Sequence, residues 1–187
     1  MGTTGWIILG VVVLAGLWLM TTYNGLVGLR QRCRQAFSDI DVQLKQRHDL
    51  VPNLVETVKG YAAHEKGTLE AVIQARNAAV NAHGPAAQAQ AEGMLQGALR
   101  QLFALAEAYP DLKANQNFQQ LQAELSDVEN KLAASRRFFN NAVQEYNTGI
   151  QQIPAAFFAG ALGFHPQTFF DLGETRAQLD QAPSVKF

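Results

Sequence analysis

The sequence predicts an all-α protein, an N-terminal transmembrane helix followed by an elongated antiparallel helical bundle with a long, kinked first helix. Three observations carry this expectation. Residues 1–29 hold no charged side chain, and "GWIILGVVVLAGLWLMTTY" is about the length that crosses a bilayer core as a helix. Beyond it, apolar residues recur in steps of three and four, the spacing of one helix face. A seven-residue repeat then occupies 115–152. The expected division is an anchor at 1–24, a long-helix bundle at 25–153, and an apolar C-terminal segment and tail at 154–187.

The anchor comes first. Trp6, Leu9, Val12, Leu17 and Trp18 are expected within the bilayer, with Trp6 near one headgroup level and Trp18 and Tyr23 near the other. A cleaved signal peptide fits less well, because no Lys or Arg precedes the apolar run and no small-x-small cleavage site follows it. The charges come afterwards, at Arg30, Arg32 and Arg34, close enough for the positive-inside rule to act. The expectation is an uncleaved single-pass anchor, N-terminus outside and body cytoplasmic. The lipid bilayer is then the first partner.

The next element is a helix expected to run to about Ala82. Its stripe is Leu26, Leu29, Cys33, Phe37, Ile40, Leu44, Val51, Val55, Val58, Ala62, Leu69, Ile73 and Val80. Pro52 interrupts it, since the ring has no N–H and crowds the carbonyl of His48. A kink there is expected, or a new helix near Val51. "HGP" at 83–85 ends the segment. A second helix follows, with Met94, Leu95, Ala98, Leu102, Leu105 and Tyr109 as its buried stripe and Pro110 as its stop. In the third helix Phe118, Leu125, Leu132, Phe139, Tyr146 and Ile153 fall seven apart, while Leu121, Val128, Ser135 and Ala142 fill the other seam of a coiled-coil-like pattern. At about 1.5 Å per residue it is long enough to lie against most of the first.

Composition excludes several functions. The chain has 187 residues and a net charge of −1, so no nucleic-acid partner is expected. Cys33 is the only cysteine, which rules out an internal disulfide and a cysteine-rich metal site. Reactive side chains crowd "KQRHDLVPNLVETVKGYAAHEK" at 45–66. His48 and His64, however, lie sixteen apart, a rotation of about 160° and a rise of about 24 Å on one straight helix. They are expected on opposite solvated faces, sharing no metal, and "HEK" lacks the second histidine of a zinc helix. There is no glycine-rich phosphate loop and no GxSxG motif, so a hydrolase built on His48, His64 or Glu65 has little support. No enzyme, metal or cofactor is expected.

Arg47 is the exception on that stretch. It lies on the apolar seam between Leu44 and Val51, where a lone charge is costly, and is expected to pair across the bundle with Glu124, Asp127 or Glu129. Such a pair sets register more than it adds stability. Arg136 and Arg137 are candidates for the same role from the opposite side.

"IDVQLKQRHDLVPNLVETVKGYAAHEKGTLEAVIQAR" (40–76), "SRRFFNNAVQEYNTGIQQIP" (135–154) and "GFHPQTFF" (163–170) closely resemble the LemA family of bacterial membrane-anchored helical proteins. The likeness runs from the anchor to the C-terminus. It implies a single anchor, an α-helical body and no established enzymatic activity, with no catalytic residue to carry over. A magnetosome protein linked to membrane formation looks like a further member, which implies a part in shaping or scaffolding membranes. This chain's departures look minor, such as the Ala/Gln-rich "GPAAQAQAEG" (84–93) expected to join two helices.

From Tyr146 to Phe170 there is no Asp, Glu, Lys or Arg, and "IPAAFFAGALGF" (153–164) is almost wholly apolar yet too short to span a bilayer. It reads first as a terminal helix covering an open groove, and otherwise as a surface that docks another subunit or lies in the lipid interface. Phe157, Phe158, Leu162 and Phe164 are its candidate assembly contacts. The expected function is a membrane-anchored scaffold that self-associates as a homo-oligomer and organises or shapes the membrane. The alternative is a monomeric adaptor recruiting a membrane protease or other envelope protein.

Overall fold

A computed structural model describes residues 2–171. The described chain is 81% helical and contains no strand, so the all-α architecture holds. Five helices follow in order: α1 (Thr3–Lys59), α2 (Lys66–Asn81), α3 (Pro85–Ala106), α4 (Pro110–Lys113) and α5 (Gln116–Gln151), then a 3-10 turn at Ala155–Phe157. Residues 172–187 of the expected C-terminal tail lie outside the described residues. Two compact units emerge among the described residues, the first from residues up to 36 with 138–167, the second from 37–137 with 168–171.

The first unit holds the anchor. No residue of its most apolar window is buried among the described residues, and Trp6, Leu9, Val12, Leu17 and Trp18 are all exposed. An 18-residue window of mean hydropathy 2.0 lies on α1, long and apolar enough to cross a membrane. At the end of the span, the Thr21 and Thr22 hydroxyls both donate to the Trp18 carbonyl at 2.9 Å, so neither needs water there. Beyond it Leu26, Cys33 and Ala36 turn inward against Phe139, Ala142, Val143, Tyr146 and Ile150 of α5. Those α5 positions step by three and four, as one buried stripe requires. α1 and α5 run antiparallel here: Arg32 pairs with Glu145, and Gly149 lies opposite Leu26 and Leu29. A Cβ at residue 149 would stand 2.8 Å from Leu29 Cδ1, so any larger residue there would make the tip of the Leu29 side chain shift. Burial pushes the Cys33 thiol above its ordinary value, and the Glu145 carboxylate adds to the shift, so Cys33 behaves as a small core residue.

The second unit departs from expectation at several points. α1 runs through Pro52 without ending there, but it stops at Lys59 rather than near Ala82. Gly60, the poorest helix former short of proline, follows at once, and the Tyr61 and Ala62 amides both fold back to the Val58 carbonyl. The turn lets α2 bury Leu69, Val72 and Ala79 against α3, a face that one continuous helix would have carried away from its partners. Ile73 and Val80, expected on the stripe, are therefore exposed.

The stretch 84–93 is no connector. Gly84 is the N-cap of α3, Pro85 its first residue, and Ala89, Ala91 and Glu92 are already buried. The inward face continues through Leu95, Leu99, Leu102 and Ala106, so Met94 is exposed and Ala98, Leu105 and Tyr109 are half-buried. The stripe is rotated from the expected one, and Leu99 rather than Ala98 lies on the buried face with Leu95 and Leu102. α5 follows its heptads: Phe118, Leu125, Leu132, Phe139 and Tyr146 are all buried. Its start is capped by Asn115, whose Oδ1 accepts from the Phe118 amide at 3.0 Å. Ile153 falls past the helix end and is exposed.

Candidate functional site

Two constructions stand out, a buried ion network in the second unit and an apolar cap in the first. The network begins with Arg47, which is 1% exposed. Its Nη1 donates to Glu92 Oε2 at 2.9 Å, and its Nη2 lies 2.6 Å from Glu129 Oε1. Of the three acids expected to meet it, Glu129 does; Glu124 and Asp127 are exposed on α5. Glu92, fully buried, is the partner that was not expected. Arg137 is exposed and Arg136 half-buried.

His48 also departs from expectation. It is buried, and its Nε2 lies 2.6 Å from Glu92 Oε1. Because a carboxylate only accepts, Nε2 is the donor. Both oxygens of Glu92 are thus engaged, one by each of two consecutive residues of α1. Periodicity placed His48 on a solvated face because it sits at the edge of the α1 stripe; α3 covers that edge. His64 is exposed, and Glu65 accepts from the Tyr109 hydroxyl at 3.3 Å. Since α1 ends between His48 and His64, the rotation expected of one straight helix does not relate them. Among the described residues no group of three or more His, Cys, Asp or Glu side chains is placed to hold a metal ion.

A second consequence of Pro52 appears at His48. Without an N–H on Pro52 the His48 carbonyl loses its helical partner, and Arg76 Nε from α2 donates to it at 3.3 Å. Replacing Arg76 with Met is expected to cost about 1–3 kcal/mol by leaving that oxygen unsatisfied. In a Pro52→Ala background, where the restored N–H takes the carbonyl, the same change should cost less than half as much. Denaturant unfolding followed by helical circular dichroism measures all four corners of this cycle. Equal costs in both backgrounds would refute the capping role.

The cap follows α5. After Gln151 the chain folds through tight turns, with Ala155, Ala159 and Phe164 inward. Gly163, at φ +76°, permits the reversal that brings Phe164 back onto α1. The Phe164 ring meets Tyr23 edge-on with centroids 5.5 Å apart, and the Arg30 guanidinium lies 4.9 Å above it. Asn147 then clamps the returning chain by donating from Nδ2 to the Gln167 carbonyl at 2.9 Å and accepting from its amide at 2.8 Å. Of the four candidate assembly residues, Phe164 is therefore core, Phe158 is half-buried, and Phe157 and Leu162 remain exposed.

Of the residues that sequence reasoning missed, Glu92 was legible in principle. Glu92 stands three before Leu95 and seven before Leu99, on an apolar seam like Arg47, and the two exceptions pair with one another. Nothing local announces that Arg76 caps a carbonyl 28 residues earlier in the chain.

Comparison with known proteins bears on the whole arrangement. The model of the LemA family matches residues 36–187. The magnetosome protein MamQ of Magnetospirillum gryphiswaldense is 25% identical over 178 aligned residues, covering 81% of this chain and 65% of that protein. The magnetosome protein MamQ 2 of Paramagnetospirillum magneticum matches with the same identity and coverage. Protein LemA of Metamycoplasma hominis is 26% identical over 155 residues, covering 81% of this chain and 69% of that one. The chain thus spans about two thirds of the length of these MamQ relatives, 65%. With a family match that extends from Ala36 of α1 through the ion network and the cap, the chain belongs to the LemA family, as a membrane-associated helical protein.

Proposed function

We propose that this protein is a non-enzymatic structural element of the membrane, anchored by its N-terminal helix, that self-associates and thereby organises or shapes the bilayer. The supporting observation is where its polar and apolar groups face. The buried network of Arg47 with Glu92, Glu129 and His48 is spent on holding helices together. Large apolar side chains face outward instead, along the span and on the helices, including Phe138 of α5 and Val42 of α1. The anchor confines every copy to two dimensions and one orientation, which raises the effective concentration for contact between helix faces. Repeated side contacts of one kind generate a ring, a patch or a curved coat according to the angle between neighbours. Arg30, Arg32 and Arg34, following the span, favour a body on the cytoplasmic side of the inner membrane.

Light-scattering mass of the full-length protein in mild detergent tests the reading. The expected result is a particle of several protomers at micromolar concentration, dissociating on dilution. A strictly monomeric particle across that range would overturn it and favour the adaptor that recruits another envelope protein.

A further inference from the structure

We infer that the apolar cap, residues 153–162, is seated in the headgroup–acyl boundary of the bilayer leaflet from which the anchor emerges, so that the protein holds its membrane at two adjacent places. This rests on the membrane-anchored reading above and adds to it a second lipid contact. The placement comes from register within the first unit. Gly149, in the last turn of α5, lies against Leu26 and Leu29, and α5 runs antiparallel to α1 there. The chain beyond it therefore arrives at the level of Tyr23, and the contact of Phe164 with Tyr23 fixes it there. Tyr23 closes the apolar run of the anchor, in the position where aromatic side chains mark the membrane–water boundary.

The composition of the cap is the reverse of a water-facing turn. Its small residues, Ala155 and Ala159, are buried, while Ile153 is 75%, Phe157 80% and Leu162 49% exposed. The inner face is closed by the alanines and Phe164, so the outward residues are not needed for it. No Asp, Glu, Lys or Arg lies between Tyr146 and Phe170, and residues 153–162 hold no titratable side chain to dehydrate on entering the interface. Arg30 stands beside Phe164, with Arg32 and Arg34 following on α1, cations suited to anionic headgroups at that depth. Interfacial segments bury their apolar side about 5–10 Å into the boundary, a depth that these three side chains can reach without any spanning element. The exposed apolar surface is also continuous in kind with the anchor, whose lipid contact is already required. Side chains wedged into one leaflet beside a span expand that leaflet alone, which gives a local means of bending the membrane.

The test uses the full-length protein with Cys33 changed to Ala and a single new cysteine, Phe157→Cys, carrying an environment-sensitive nitrobenzoxadiazole dye. A second version carries the dye at Phe138→Cys, an exposed aromatic position on α5 more than three turns away from the cap. Both are reconstituted into vesicles of phosphatidylcholine and phosphatidylglycerol containing lipids nitroxide-labelled near the headgroup. The expected result is at least twofold quenching and a blue-shifted emission at 157, against little of either at 138. Emission at 157 that matches the water-exposed value and is unquenched would overturn the inference. Mass in detergent is read in parallel for the Ile153→Ser, Phe157→Ser double variant, whose changed residues are exposed and leave folding intact. Unchanged mass supports lipid as the occupant. A fall to monomer together with no lipid quenching at 157 makes the cap a contact between copies and refutes the lipid seat. A wild type that is monomeric yet quenched at 157 would sink self-association while leaving the lipid seat standing.

Discussion

Replacing Glu92 with Leu is expected to destabilise the helical body by about 3–5 kcal/mol, the usual cost of leaving one partner of a buried pair without the other. Arg47 is 1% exposed and would keep only Glu129, whose side chain is 36% exposed and lies at the margin of the network. His48 would lose its acceptor as well, and its side chain is only 11% exposed. The companion variant Arg47→Met, Glu92→Leu removes both charges and should recover most of the loss, because apolar side chains of similar volume satisfy the same space without desolvated charge. Denaturant unfolding by helical circular dichroism distinguishes the two. A single variant losing less than about 1 kcal/mol would show that the network is not closed in solution. The comparison also addresses why the charges are there. If the double variant is stable but its helices exchange hydrogen less uniformly, Arg47 and Glu92 select the register of α1 against α3 rather than supplying stability.

The second large effect is expected at Phe164. Phe164→Ala should cost about 3–5 kcal/mol of local stability, combining the lost apolar burial, the cavity and the edge contact with Tyr23. The loss of the Arg30 contact over the same ring adds to it. Because the cap is held by this ring and by the Asn147 clamp, the change should open residues 152–167 rather than the helices. At about 1.4 kcal/mol per factor of ten, amide exchange in the cap is expected to accelerate by at least 100-fold. Exchange in 37–137 should stay as in the wild type. Uniform acceleration throughout the chain would mean instead that the ring is part of a single cooperative core. The functional consequence follows from the lipid seat: a loosened cap no longer holds Phe157 at a fixed depth, and the quenching contrast between positions 157 and 138 should shrink.

Some elements of this protein follow from local chemistry alone. A span of uncharged residues needs no tertiary partner to become helical in lipid, since all its backbone bonds are internal. The heptads of α5 specify which residues turn inward, because 3.6 residues per turn leave one face for a partner whatever that partner is. Arg47 announced itself in the same manner, as a charge on an apolar seam that obliges an opposite charge to meet it. LemA-family membership was likewise legible in the stretches 40–76 and 135–154, and the family match bears it out.

What the sequence by itself determined, then, was the helical class, the span, the inward face of α5 and the need for an acid opposite Arg47. The tertiary structure decided which acid, and it decided where α1 stops. Periodicity gives an angle about the helix axis but no count of neighbours. His48, at the edge of its stripe, is solvated if one helix packs there and buried when α3 packs there too. Ile73 and Val80 read as core on a single long helix and became exposed once Gly60 turned α2 onto α3. Phe164 and Phe157 are the same residue type in the same apolar run, and composition cannot separate them. A reversal at Gly163 puts one against Tyr23 and leaves the other facing out, because burial depends on the path of the backbone and not on the side chain's own preference for it.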